Sequence, residues 1–120
     1  MAQGMEKLNG LQPAFKEKAI AVINDMEKLG WHIRVIFGTR TKAQNDALGK
    51  NASKHSKHLR GLAVDIVDTK TYWNISYGNF NHPFCKDLER LCVKHGVYWG
   101  GNFIRKNPKY RWDPCHFESK

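Results

Sequence analysis

Long apolar runs are missing from this chain: no stretch of its 120 residues approaches the roughly 18 consecutive apolar positions of a membrane-spanning helix. Met1–Gly10 has neither a basic start nor an apolar middle, so a soluble chain without a secretory signal is expected. Cysteine is scarce. Cys85, Cys92 and Cys115 are an odd number in no metal-knuckle spacing, which argues against a disulfide framework and for synthesis in a reducing compartment. Acidic residues are few as well: eleven Asp and Glu face twenty Lys and Arg, leaving a net charge of +9 with His neutral. A polyanionic partner is therefore expected, although nucleic acid, anionic lipid and bacterial envelope polymers would all satisfy that charge. Internal repeats, low-complexity stretches and linkers are absent, and a hydrophobic fraction of 41% is enough for a core, so residues 1–120 are expected to form a single domain.

Leu11, Phe15, Ala19, Val22, Met26 and Leu29 recur at helical steps, with Pro13 suited to a first turn and Gly30 to a stop. Trp31–Phe37 is β-branched and aromatic and predicts a strand with Ile33, Val35 and Phe37 on one face. Thr41 and Gln44 form a capping-box pattern for a short helix ending at Leu48-Gly49. The polar segment Asn51–Arg60 reads as an exposed loop before a strand at Leu62–Val67. Asp68–Asn81, which mixes Tyr72, Trp73, Tyr77 and Phe80 with Asn, Ser and Gly, reads as a long loop bordering a binding site. Pro83 opens a helix that Gly96 ends, Val97–Trp99 is a short strand before the Gly100-Gly101 turn, and a last strand carries Trp112 to Phe117. Strands and helices do not alternate as crossover units, which favours an α+β fold with a small antiparallel sheet flanked by helices.

Within Ser56-Lys57-His58-Leu59-Arg60-Gly61-Leu62-Ala63-Val64-Asp65, an imidazole and a carboxylate stand seven residues apart, one before the strand and one within it. A turn at Arg60-Gly61 lets them face each other as a nitrogen-plus-oxygen pair for Zn²⁺; Gly61 permits the turn and Ala63 leaves space beside the metal. Asp113-Pro114-Cys115-His116 offers a second imidazole with a carboxylate three residues before it. Two His and one carboxylate leave a fourth position open, the pattern of a catalytic zinc.

This pattern, Ser-x-His-x-x-Gly-x-Ala-x-Asp followed far downstream by Asp-x-x-His, resembles the zinc LD/DD-peptidases of peptidoglycan, which include D-alanyl-D-alanine carboxypeptidases and single-domain phage L-alanyl-D-glutamate endolysins. The resemblance spans Gly38 to Phe117 and implies a Hedgehog/DD-peptidase-like fold. It implies His58, Asp65 and His116 as zinc ligands, Asp113 as the catalytic base and Arg40 as a cation that polarises the substrate. Trp99-Gly100-Gly101 is also similar to a family element. Ser56, Gly61 and Trp99 are expected to support the metal or border the substrate groove, Ser56 serving equally well as a turn-stabilising hydroxyl. Cys115 stands where many relatives have Trp, and its sulfur is expected to face away from the metal because neighbouring strand residues point to opposite faces. His32, His55, His82 and His95 are expected to be bystanders, and Cys85 and Cys92 small buried hydrophobes.

The resemblance implies a monomeric endolysin that cuts the L-alanyl-D-glutamate bond of the stem peptide. Such a protein is made in the host cytoplasm and reaches the periplasmic wall after membrane disruption. Its basic surface, including Lys50, Lys54, Lys57 and Arg60, is expected to draw it to the anionic envelope rather than to a specific nucleic acid. A D-alanyl-D-alanine carboxypeptidase is the rival within the same chemistry. A basic binding module without catalysis is the rival from another class; it predicts metal-independent, salt-sensitive DNA binding and has no use for an open metal corner.

Overall fold

The computed structural model describes residues 2–39 and 57–120, apart from the side chains of His58 and Leu59. The expected Thr41–Leu48 helix and residues 51–56 of the polar loop lie outside them. Among the described residues, four strands form one antiparallel sheet: β1 (Ile33–Phe37), β2 (Ala63–Asp68), β3 (Val97–Trp99) and β4 (His116–Ser119), in the spatial order β1-β2-β4-β3. Among the same residues three α-helices accompany it: α1 (Pro13–Lys28), α2 (Pro83–His95) and the single turn α3 (Phe103–Lys106). The α+β class with a small antiparallel sheet is the architecture observed.

Helix α1 starts at Pro13, whose missing N–H costs nothing in a first turn, and buries Phe15, Ala19, Val22, Ile23 and Met26. Helix α2 likewise starts at Pro83. The His82 Nδ1 caps it by accepting from the Phe84 amide at 3.1 Å, and Gly96 ends it in the left-handed conformation. Its apolar stripe of Phe84, Cys85, Leu88, Leu91 and Cys92 joins α1 and the sheet in one core. Every residue of β2 is buried, as befits a strand hydrogen-bonded on both sides.

Two expected strand features change. Phe37 does not share the inner face with Ile33 and Val35: the register shifts between Val35 and Phe37, and that irregularity leaves Phe37 40% exposed. The last strand begins at His116 rather than Trp112, because Pro114 and Cys115 form a turn closed by the His116 amide donating to the Asp113 carbonyl at 3.2 Å. The N-terminal segment adds two contacts with no periodic signal, a 3-10 turn at Met5–Leu8 that buries Leu8 and a bridge from Gln3 to Arg34.

Candidate active site

The site forms where β2 and β4 run side by side. Asp65 and His116 are direct cross-strand partners, so the sheet register itself places an acid from mid-sequence against an imidazole from the end of the chain. The His116 Nδ1 lies 2.8 Å from Asp65 Oδ1 and 3.9 Å from Asp113 Oδ2. Asp65 and His116 are 8% and 7% exposed, whereas about a third of the Asp113 side chain (34%) meets solvent. Asp113 is thus the most solvent-exposed member of the group.

The turn carrying Asp113 and His116 rests on a rigid floor. Trp99 is 1% exposed and donates its Nε1–H to the Pro114 carbonyl at 2.8 Å. Its indole is taken up by core packing and by holding the turn from beneath. Gly100 follows, and a Cβ there would stand 2.5 Å from the Asp113 carbonyl oxygen and 2.9 Å from the His116 Cβ, so only glycine lets the turn settle this closely. Trp112, adjacent to Asp113, packs edge-on against Phe80 and Trp99. The ring of Phe103 lies 5.6 Å from that of His116 and makes an aromatic wall beside it.

Gly61 adopts φ +68 as its expected turn requires, and a Cβ on it would meet the Gly10 carbonyl oxygen at 2.9 Å. The turn it closes, Lys57–Arg60, is a 3-10 turn that carries the His58 backbone. The His58 side chain, Arg40 and Ser56 lie outside the described residues, as does His55. Cys115 is 1% exposed, with its sulfur 4.0 Å from the Tyr72 carbonyl oxygen. Burial first, then the charges of Asp113 and Asp65, raise its thiol pKa far above the ordinary value, so it is a buried core thiol that resists ionisation. Cys92 is raised by burial in the same way, and Cys85 is pushed up to about 12. In the 69–81 loop Trp73 and Tyr77 are exposed, consistent with a border role, while Ile75 is buried.

Glu118 was not among the residues marked by the sequence pattern. Its Oε1 lies 2.8 Å from the His116 Nε2, and its Oε2 pairs with the Lys57 Nζ at 2.9 Å. A signal for it existed: in a strand beginning at His116, the residue two further on shares its face. Burial alone would lower the His116 pKa, but hydrogen bonds with Asp65 and Glu118, together with the charges of Asp65 and Asp113, raise it to about 10. The acidic neighbours thus favour the protonated imidazole.

These groups fit a divalent cation. One ligand atom each from Asp65, Asp113 and His116 lies within 4.8 Å of the others. Imidazole nitrogen with carboxylate oxygen is a donor set zinc accepts at bonds of about 2.0–2.2 Å, and a cation entering there would exchange with the imidazolium proton.

A family model described as D-alanyl-D-alanine carboxypeptidase matches residues 50–119, more than half of the chain. No curated protein matches this chain in sequence. Among solved structures, the Serratia marcescens L-Ala D-Glu endopeptidase ChiX is similar with a TM-score of 0.68 and 23% identity, covering 100% of this chain and 90% of its own. The LD-carboxypeptidase LdcB reaches 0.68 at 16% identity, over 91% of this chain and 58% of its own. The vancomycin-resistance D,D-pentapeptidase VanY, solved with Zn(II), reaches 0.66 at 16% identity, over 92% of this chain and 74% of its own. At these identities the structural likenesses establish the fold, and the family model establishes the kinship. With its match running from just before the His58 turn through His116, the chain belongs to the D-alanyl-D-alanine carboxypeptidase family, zinc peptidases that act on peptidoglycan.

Proposed function

We propose that this protein is an endopeptidase that hydrolyses the L-alanyl-D-glutamate bond of peptidoglycan stem peptides, as a phage endolysin. The observation that carries the hydrolase reading is the Asp65–His116–Asp113 group, two members buried and one facing solvent. The choice of bond is supported by the likeness to ChiX, which is nearly end to end for both chains. It is also supported by Asp rather than Glu at position 113, as in the endolysin branch of the resemblance.

His58, Asp65 and His116 would hold the zinc, and Asp113 acts beside it rather than on it. Bound there, zinc supplies Lewis acidity that polarises the scissile carbonyl and makes water nucleophilic near neutral pH. Asp113 accepts the proton of the attacking water at a carboxylate oxygen and returns it to the nitrogen of the leaving amine. Arg40 donates to the carbonyl oxygen as negative charge develops, a role suited to a guanidinium that stays charged at any working pH. The Phe103 ring and the floor of Trp99 and Gly100 keep His116 and Asp113 from turning away. The +9 charge draws the monomer to the anionic envelope, and access to the wall follows disruption of the host membrane from the cytoplasmic side.

Mass spectrometry of muropeptides tests the bond. The endopeptidase releases stem peptides with a new amino terminus on D-glutamate and leaves L-alanine on the glycan. Loss of a terminal D-alanine alone would establish the carboxypeptidase, the second reading, which the family description favours.

A further inference from the structure

Glu118 divides its two oxygens between two distant parts of the chain. Oε1 lies 2.8 Å from the His116 Nε2 and Oε2 lies 2.9 Å from the Lys57 Nζ. Lys57 immediately precedes His58, and its ammonium also donates to the Ser119 carbonyl at 2.7 Å. Backbone pairing runs the same way: the Leu62 amide donates to the Lys57 carbonyl, and the Ser119 amide to the Leu62 carbonyl. The 3-10 turn bearing His58 is therefore tied to β4, which bears His116, through one carboxylate and one ammonium. Glu118 sits opposite Ala63 in the β2–β4 register, where a small side chain leaves room for it. The carboxylate is part-buried, with 15% of its side chain exposed, which limits competition from water for the two bonds.

We infer that Glu118 is a positioning residue for the metal site: it holds His116 in the tautomer protonated on Nε2, so that Nδ1 faces Asp65 and Asp113, and through Lys57 it fixes the turn that carries His58. A carboxylate behind a ligating imidazole sets the ring's tautomer and orientation and strengthens it as a donor. Nδ1 already faces Asp65 and Asp113, at 2.8 and 3.9 Å, while Nε2 faces Glu118 alone among these carboxylates. The inference rests on the zinc site described above and adds to it a residue that touches neither metal nor substrate.

The test measures zinc affinity by chelator competition and the His116 tautomer by long-range ¹H–¹⁵N NMR of the zinc-loaded protein, with circular dichroism to confirm folding. Wild type is expected to hold zinc through Nδ1 and keep its proton on Nε2. Glu118→Ala is expected to bind zinc about 10–100-fold more weakly. Glu118→Gln, which retains an oxygen to accept from Nε2–H, should recover most of that loss. Lys57→Met should weaken binding less than Glu118→Ala and keep the wild-type tautomer. Unchanged zinc affinity in a folded Glu118→Ala, or metal on Nε2 in wild type, would overturn the inference while leaving the zinc site intact. Failure of wild type itself to bind zinc would overturn both.

Discussion

Asp113→Ala is expected to lower kcat for peptidoglycan hydrolysis by about 10²–10⁴-fold while the protein keeps its zinc. The reason is positional. Asp65 and His116 are almost wholly buried, whereas a third of the Asp113 side chain is open, and its nearest carboxylate oxygen is farther from the His116 Nδ1 than that of Asp65, at 3.9 against 2.8 Å. A ligand needs a fixed place in the shell, and a base needs contact with the water it deprotonates. Asp113 meets the second requirement better. Release of new amino groups from peptidoglycan gives the rate, and elemental analysis of the same samples gives the metal content. Loss of zinc in the variant would make Asp113 a ligand and move the base elsewhere.

His116→Ala is expected to do more than remove a ligand. The imidazole separates Asp65 from Glu118, with a hydrogen bond to each, and both carboxylates are largely buried. Removing one partner from a buried charge pair typically costs about 3–5 kcal/mol; Glu118 would keep Lys57, and the loss would fall on the hydrogen bonds that the imidazole makes to the two carboxylates. The metal-free variant should unfold at a clearly lower temperature than metal-free wild type, and zinc should bind too weakly to restore activity. Thermal unfolding with and without added zinc checks both. A variant as stable as wild type in the absence of metal would show that the carboxylates do not depend on the imidazole.

The fold class was legible because the strongest periodic signals, α1 and α2, carry their own stops at Gly30 and Gly96. Pattern alone could not place the irregularity at Val35–Phe37: alternation predicts Phe37 inward, and only the pairing with β2 shows where the register slips. The start of β4 was read too early for a similar reason. Trp112 to Phe117 has strand-like composition, but Pro114 has no amide to donate and the Asp113–His116 turn takes its place.

Within the site, Asp65, Asp113 and His116 stood out by their order and spacing, and the structure brings the three together. What the sequence could not show is that Asp65 and His116 stand in direct register, since pairing between distant strands is set by the whole sheet. The sequence left Trp99 between supporting the metal site and bordering a groove; the two glycines after it serve its burial, since Gly100 lets the Asp113–His116 turn press down and Gly101 packs against the indole. Glu118 escaped notice because a carboxylate near the end of a basic chain reads as a solvated charge until Lys57 and His116 are seen on either side of it.

X-ray absorption at the zinc edge of the loaded protein tests the metal site most directly. The expected spectrum has a shell of nitrogen and oxygen at about 2.0–2.1 Å with the outer-shell scattering of two imidazoles, reduced to one in His58→Ala. A sulfur scatterer at about 2.3 Å, or a wild-type spectrum with a single imidazole, would contradict the assignment of His58, Asp65 and His116 as the ligands.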